Sequence, residues 1–265
     1  MTGQPCYWKD LTTIELADYA ARDAVALLPL AAIEQHGPHL PLSTDLDIGN
    51  GLIKQAVEYL AEDFPLLVLP PLMIGDSMEH TAFSGTLSLE PETVITVIQQ
   101  TGAAAARAGI RRLVLFNSHG GNRQVADIAA LRLRRDHDLL VVKANYFRFP
   151  PVDVGLGSGE LRHGIHGGAL ETALMLHFRH DAVRMERALA GISLGQALER
   201  DNSHLGPEGV ASFAWMAQDL NVSGVVGDAT QATAAMGEKL AAHYAGILAE
   251  VLEETLAFDL SALRP

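Results

Sequence analysis

Short apolar runs alternate along the chain with longer stretches of helical periodicity. The short runs are leucine-rich or β-branched and too short for helices, so each predicts a strand. The predicted strands span residues 25–30, 66–69, 112–116 and 139–143. Apolar residues at three- and four-residue spacing predict helices. These helices span residues 46–60, 91–108, 124–135 and 231–257.

This alternation of strands and helices predicts an α/β fold with a largely parallel sheet flanked by helices on both faces. The chain has 265 residues and is 48% hydrophobic, enough for a sizeable core, and we expect one domain over 1–265. In such folds ligands gather at the carboxyl ends of the strands. Candidate chemistry is therefore sought directly after each predicted strand.

Charge and hydropathy exclude two classes of partner. A formal net charge of −13 repels phosphate backbones, so we expect no nucleic acid partner. The apolar runs are strand-sized and residues 1–10 do not look like a signal peptide, so we expect no membrane association and a cytoplasmic location. The single cysteine, Cys6, excludes an internal disulfide and is expected to be inert.

The turn after the first predicted strand carries the most informative chemistry. Glu34 and His36 are two residues apart, so on an extended strand end they point the same way. A Gly-Pro bend then lets Asp45 return to the same point. Mixed imidazole and carboxylate ligands suit Zn, Mn or Fe. The turn predicts a metal site; the alternative for any one of these residues is a solvated polar loop.

A second glycine-rich turn, residues 117–122, follows the third predicted strand. His119 would present its ring at the carboxyl end of that strand, and Gly120 and Gly121 would leave room for a ligand against the backbone. We therefore predict His119 as a third metal ligand. The alternatives are a phosphate-binding turn or a tight connection.

The two turns together resemble the creatininase (creatinine amidohydrolase) family. Its signature reads roughly Glu-x-His-Gly-x-His-Leu-Pro followed by an Asp, with Asn-x-His-x-x-Asn at the second turn, matched here by Asn117, His119 and Asn122. Creatininases proper have a metal-ligating Glu two residues after this His, where this chain has Gly121. The Asn-x-His-Gly-Gly-Asn form resembles the branch of the family that includes formamide hydrolases and a peptidase-like member.

A third segment, residues 163–176, resembles the family's His-x-Gly-x-x-Glu-Thr pattern. Glu171 lies in the first turns of a predicted helix, where the helix N-terminus and a cation would stabilise a carboxylate. We expect it to supply the carboxylate that Gly121 does not, the alternative being a local cap. For His166 the resemblance implies proton transfer to a leaving nitrogen, the alternative being a structural histidine.

Two further positions are predicted to contact substrate. The segment 75–86 resembles the family's Gly-x-Ser-x-Glu-His segment and places His80 in the pocket wall, although His80 could instead satisfy loop backbone groups. Creatininases proper place tryptophans over their ring substrate, whereas the best-matching position here is Phe147. With Gly121, this favours another cyclic amide, a formamide or a short peptide-like amide over creatinine.

The resemblance implies a metal-dependent amidohydrolase with two divalent ions per subunit. Asp45 would bridge the ions, with Glu34 and His119 on one and His36 and Glu171 on the other. A hydroxide shared by the ions would attack the amide carbon. The resemblance also implies a homo-hexamer. The same ligands could serve a metal-binding accessory protein without turnover, and a nucleotide-binding α/β protein is disfavoured because the usual glycine motifs are missing.

Overall fold

Four parallel strands form the central sheet of the computed structural model, which describes residues 6–264. Their order across the sheet is β2-β1-β3-β4. Their bounds are β1 Val25–Leu30, β2 Leu66–Val68, β3 Arg112–Asn117 and β4 Leu140–Asn145. The predicted parallel sheet is confirmed, and each predicted strand is present within two residues of its expected bounds.

The α-helices have the bounds α1 Thr13–Ala21, α2 Thr44–Val57, α3 Pro91–Arg107, α4 Asn122–His137, α5 Ser158–His163, α6 Ala169–Phe178, α7 Leu194–Leu198, α8 Ala217–Leu220 and α9 Ala234–Ala257. Three of them, α2 to α4, connect the strands of the sheet, α1 precedes the strands and the others follow β4. Two-residue strands follow at β5 Ala190–Gly191, β6 Leu205–Gly206, β7 Ala211–Ser212 and β8 Gly227–Asp228, and short 3-10 helices lie among these elements. The apolar pattern did not predict α1, whose start is marked by the reciprocal hydrogen bonds of Thr12 and Glu15.

The two faces of the sheet carry separate cores because successive strand residues point to opposite sides. On one face Val25 and Leu27 pack with buried residues of α2, α6 and α9. On the other face Ala26 and Leu28 pack with α3 and α4. The prediction of helices on both faces is therefore confirmed. Of the described helices, none is long and apolar enough to cross a membrane.

The register of the sheet aligns the carboxyl ends of three neighbouring strands. Leu30 of β1 pairs with Asn117 of β3, and Asn117 pairs with Asn145 of β4. The loops that follow these residues therefore leave the sheet at one edge, side by side. No signal peptide is expected in residues 1–10, and residues 1–5 of that segment lie outside the described range.

Candidate metal centre

Four elements bring the predicted metal ligands to that edge. Glu34 and His36 lie in the loop after β1, and Asp45 lies in the first turn of α2, where the helix N-terminus favours a carboxylate. His119 lies two residues beyond the end of β3. Glu171 is the third residue of α6. The structure thus gathers all five side chains from positions up to 137 residues apart in sequence.

The first group of ligands is centred on His119. Its Nδ1 lies 3.1 Å from Glu34 Oε1 and 3.3 Å from Asp45 Oδ2. Its Nε2 lies 2.7 Å from the backbone carbonyl of Asp76, to which it donates. In the neutral ring the Nδ1 lone pair therefore faces two carboxylates, an arrangement that a cation between them would satisfy.

The second group is centred on His36, which also has one ring nitrogen bonded to a backbone carbonyl and the other facing carboxylates. Its Nδ1 lies 3.2 Å from the backbone carbonyl of Glu34, to which it donates. Its Nε2 lies 3.2 Å from Asp45 Oδ1 and 3.9 Å from Glu171 Oε2. Asp45 thus offers one oxygen to each group. The ligand atoms of Glu34, Asp45 and His119, and those of His36, Asp45 and Glu171, each lie within 4.8 Å of one another.

Burial leaves several of these atoms without partners. Among residues 6–264, both carboxylate oxygens of Glu34, Nε2 of His36 and Oδ2 of Asp45 are buried without a hydrogen-bond partner. Orphaned buried carboxylates are costly unless a cation compensates them. Three carboxylates and two imidazoles, all converging, match the ligand chemistry of a pair of Zn or Mn ions. The residues present therefore fit a two-ion centre.

The protonation of these groups shows how strongly their charges interact. Burial lowers the pKa of His36, but the carboxylates of Asp45, Glu171 and Glu34 outweigh it and raise that pKa to about 9. Burial works to raise the pKa of Asp45, but His36 and His119 hold it well below its usual range. Burial raises the pKa of Glu171 to about 7. In the metal-free protein, protons bound to these side chains balance the negative charge that metal ions would otherwise balance.

Two asparagines explain the Asn-x-His-x-x-Asn motif. Asn117 accepts from the His119 backbone N–H at 3.1 Å and donates to the His119 carbonyl at 2.8 Å. Asn122 accepts from Asp76 N at 3.1 Å and donates to the carbonyl of Ala31 at 3.0 Å. The first asparagine shapes the turn that carries His119. The second ties that turn to the loop after β1 and to the Asp76 backbone that holds the His119 ring.

His166 and His80 stack beside Glu34. Their ring centroids lie 4.1 Å apart, and the centroid of His166 lies 4.2 Å from that of His36. The backbone of His166 pairs with Val226 in an antiparallel bridge. Burial lowers the pKa of His80 to about 4 and lowers that of His166 well below its usual value. Both rings are therefore neutral at pH 7 and lie within reach of the metal ligands.

The two glycines predicted to face substrate differ. Around Gly120 the space is open: an added Cβ would meet nothing within 4 Å. At Gly121 an added Cβ would meet His119 Nε2 at 2.5 Å and Glu79 Oε1 at 2.8 Å, and would also collide with the Asp76 carbonyl. The space that a side chain would take at Gly121 is thus occupied by protein atoms, so this position requires glycine.

Phe147 lies just beyond β4 and is 38% exposed. Its ring meets that of Tyr146 edge-on, with centroids 5.7 Å apart. Tyr146 is the buried member of the pair, and burial followed by the charges of Glu171 and Asp45 raises its pKa well above the usual value. The sequence did not single out Tyr146, although a phenol beside the predicted Phe147 was the available signal.

Two carboxylates accept hydrogen bonds from the backbone at the start of α6 and so explain where this helix begins. Glu171 Oε2 accepts from Gly167 N–H at 2.6 Å, and the buried Glu160 accepts from the Ala169 N–H at 2.7 Å. His39 reaches Thr172 Oγ1 with its Nε2 at 2.9 Å. Glu171 therefore makes the local contact of a helix cap while its carboxylate remains 3.9 Å from His36.

Comparison with known proteins agrees with this geometry. The family model described as creatinine amidohydrolase matches residues 9–252. The chain belongs to the creatininase family. A mycofactocin precursor peptide peptidase from Mycobacterium tuberculosis is 34% identical over 220 residues, covering 81% of this chain and 78% of the relative. The creatinine amidohydrolase of Pseudomonas putida is 34% identical over 198 residues, covering 69% and 73%.

Solved structures of this family share the fold and include metal forms. A crystal structure of creatininase matches with a TM-score of 0.77 at 27% identity, covering 96% of this chain and 99% of that one. A manganese form matches with a TM-score of 0.76 at 27% identity, and a Zn–Zn form with 0.74 at 28%, each covering 95% of this chain and 98% of its own. The chain is therefore a hydrolase of the creatininase family, as its motifs predict.

Proposed function

We propose that this protein is a metal-dependent amidohydrolase that cleaves the carbon–nitrogen bond of a small amide. One observation carries the proposal: Asp45 offers one carboxylate oxygen to the His36 side and the other to the His119 side. Both imidazoles use their other nitrogen as a donor to a backbone carbonyl. Two lone pairs and a carboxylate between them are what a pair of divalent ions needs.

In this proposal Glu34 and His119 would hold one ion, His36 and Glu171 would hold the other, and Asp45 would contribute to both. When bound, the two ions would act as Lewis acids that polarise an amide carbonyl and lower the pKa of a water molecule toward neutrality. Zn and Mn suit the mixed donors, and Fe remains a candidate.

His166 is the proposed proton carrier. Its Nε2 donates to the backbone carbonyl of Gln35 at 2.6 Å, so the neutral ring has its lone pair on Nδ1, 3.7 Å from Glu34 Oε1. Water adds its hydroxyl to the carbonyl carbon, and its remaining proton passes through Nδ1 to the nitrogen as the carbon–nitrogen bond breaks. A protonated amine is a far better leaving group than an amide anion, which is why a positioned carrier is needed.

Substrate contacts are proposed for His80, Phe147 and the backbone at Gly120 and Gly121, near this edge of the sheet. We place small cyclic amides and formamides first among substrates. The packing of Gly121 supports a difference from creatininases proper, because protein atoms fill the space at that position. We also propose assembly as a homo-hexamer in the cytoplasm; the molar mass in solution tests the assembly.

A second candidate substrate is a short peptide-like amide. The 34% identity to the mycofactocin precursor peptide peptidase favours it. A cavity of about 350 Å³ also lies beside Ile165, the neighbour of His166 in sequence, and is lined by polar groups that include Arg162, His163 and Glu199. Its lining contains none of the residues assigned to the metal centre. A cavity of this size accepts more than a single small ring.

Turnover by zinc- or manganese-loaded protein tests the proposal. The panel comprises lactams, hydantoins, formamides, creatinine and short peptides. The readout is mass-spectrometric detection of the hydrolysed product, either the substrate plus one water or its two fragments. Hydrolysis of any small amide that disappears on chelation supports the proposal. Hydrolysis of the peptides alone supports the second candidate. Tight metal binding without turnover of any compound would support an accessory protein instead.

A further inference from the structure

Gln35 lies between Glu34 and His36 in sequence, and its buried side chain makes hydrogen bonds through both its oxygen and its nitrogen. Its Oε1 accepts from the backbone N–H of Gly37 at 3.0 Å, and its Nε2 donates to the carbonyl of Gly224 at 3.0 Å. A backbone N–H can only donate and a carbonyl can only accept, so the amide has one possible orientation. Gln35 therefore presents its second N–H in a defined direction.

That second N–H points at His80. Gln35 Nε2 lies 2.9 Å from His80 Nδ1. Because Gln35 donates, His80 Nδ1 must accept, and the neutral ring carries its hydrogen on Nε2. This Nε2 lies 3.6 Å from Glu34 Oε1. His80 thus presents an N–H toward the metal centre.

The backbone of the same residue fixes the proton of His166 by accepting a hydrogen bond instead of donating one. The carbonyl of Gln35 lies 2.6 Å from His166 Nε2 and must accept its hydrogen. The bare Nδ1 of His166 then lies 3.7 Å from Glu34 Oε1, the oxygen that His80 Nε2 also approaches. The two rings are stacked at an angle of 27°.

We propose that Gln35 is a positioning residue that holds two stacked histidines in the same tautomer, with the hydrogen on Nε2. The rings are turned differently, so His80 presents its N–H and His166 its bare Nδ1 to one reaction space. The roles that follow rest on the proposed function. The N–H of His80 binds the substrate carbonyl oxygen as negative charge develops on it. The bare nitrogen of His166 takes the proton of the attacking water and delivers it to the leaving nitrogen.

The packing around Gln35 supports a dedicated role for its amide. An added Cβ on Gly224 would lie 2.7 Å from Cδ and 2.8 Å from Nε2 of Gln35, so the glycine allows the amide to reach its place. The backbone of Gly224 also has a φ of +77°, which favours glycine. Gln35 lies 45 residues from His80 and 189 from Gly224 in sequence.

Neutron diffraction from crystals of the zinc-loaded protein in deuterated buffer tests the proposal without substrate. We expect deuterium on Nε2 of His80 and on Nε2 of His166, with Nδ1 bare in both rings. Deuterium on His80 Nδ1, or a bare Nε2 on His166, would overturn the assignment. Because the readout is a proton position, it is independent of whether the enzyme hydrolyses any amide.

Two variants separate the side chain of Gln35 from its backbone. Gln35→Met keeps the length but removes the donor, so His80 should lose its single proton position. His166 should keep its Nε2 deuterium, because its partner is a carbonyl that the substitution leaves in place. Unchanged deuterium on His80 in this variant would overturn the role of the amide.

Gly224→Ala displaces the amide without changing residue 35 and should alter His80 in the same way. Its control is Gly155→Ala, which adds a methyl at a glycine with a φ of +81° but with nothing within 4 Å. If Gln35→Met does not fold, Gly224→Ala and the wild-type map decide the question. On a substrate found with the panel, Gln35→Met should lower kcat/KM about tenfold, the effect of one hydrogen bond, with the metal content unchanged. An unchanged kcat/KM would remove the functional role.

Discussion

His36 Nε2 lies 3.2 Å from Asp45 Oδ1, and the other nitrogen of His36 already donates to a backbone carbonyl. In a neutral ring, the lone pair on His36 Nε2 therefore faces the negative charge of the Asp45 carboxylate. Such a pair is stable in a buried site only with a proton or a cation between the two groups. The first prediction follows from this contact.

Asp45→Asn should fold normally but lose most of its metal and activity, because one neutral amide cannot balance two dications. The matched control is Asp47→Asn, which removes the same charge one half-turn along α2, where the carboxylate contacts Ser43 and Arg179. Metal content by atomic emission, with circular dichroism for folding, is the measurement. Full metal occupancy and normal turnover in Asp45→Asn would rule out a bridging role.

Glu171→Gln should retain about one ion per subunit, because a neutral amide replaces one charged ligand of the His36 ion. Glu79 is the competing carboxylate, since its Oε1 fills the space above Gly121. It lies 3.8 Å from His119 Nε2, on the side of that ring away from Glu34 and Asp45. Glu79→Gln should therefore keep both ions. Loss of an ion from Glu79→Gln but not from Glu171→Gln would reverse the assignment.

His166→Ala should lower kcat by about 10²–10⁴-fold, the usual contribution of a positioned proton carrier, with both ions bound and KM little changed. The control is His177→Ala, an exposed histidine further along α6. Steady-state kinetics and metal analysis are compared for the two variants. Loss of an ion from His166→Ala would make this histidine a ligand, and normal turnover would make it structural.

Metal binding should release protons at pH 7. The pKa of His36 in the metal-free protein is about 9 and that of His119 is raised well above its usual value, whereas both bind metal as neutral rings. Calorimetry in buffers of different ionisation enthalpy should show at least two protons released per subunit at pH 7, one from each histidine. Glu171 should add about half a proton, because its pKa of about 7 leaves it half protonated. The affinity for Zn should rise with pH up to about 9, where His36 loses its proton unaided.

The same shift fixes the sign of a stability change. The folded-state pKa of His36, about 9, lies above its usual value of 6.5. The stabilisation from its protonated form is therefore fully present below pH 6.5 and is lost as pH rises through 9. Metal-free protein should therefore lose this stabilisation between those values while metal-loaded protein does not. In the calorimetry, a heat of metal binding that does not depend on the buffer would show that His36 and His119 are already neutral before metal binds.

Gly237→Ala should destabilise the fold even though alanine is the better helix former. The helix gains about 1 kcal/mol from the exchange, but the added Cβ would collide with the carbonyl of Ala173, and overpacking costs about 1–3 kcal/mol or more when backbone must move. Gly246→Ala in the same helix meets nothing within 4 Å and should stabilise by up to about 1 kcal/mol. Denaturant unfolding of both variants measures the difference, and equal stabilities would contradict the close packing of α6 on α9.

Much of the architecture was predictable because strand and helix periods are local properties. The sequence also predicted the clustering of Glu34, His36, Asp45 and His119, since loops that follow adjacent parallel strands must leave the sheet together. The Asn-x-His-x-x-Asn motif marked the second of these loops. The exposed Phe147 and the filled space at Gly121 were not predictable, because each depends on neighbours from other parts of the chain.

The contacts of Gln35 show why the rest of the site could not be predicted from the sequence. Its backbone and side chain bond to His166, His80 and Gly224, which lie 131, 45 and 189 residues away. Short-range spacing cannot report such pairs. Likewise, nothing in the segment 75–86 indicated that the backbone of Asp76 would hold the ring of His119.

The central claim is metal-dependent hydrolysis of a small amide at Asp45 and its neighbours. Its most direct test is the formation of hydrolysed product from the amide panel by protein treated with a chelator, by the same protein after addition of Zn or Mn, and by the Asp45→Asn variant. We predict turnover only in the metal-loaded wild type and in a matched Asp47→Asn sample. Turnover that survives chelation, or equal turnover by Asp45→Asn, would contradict the account.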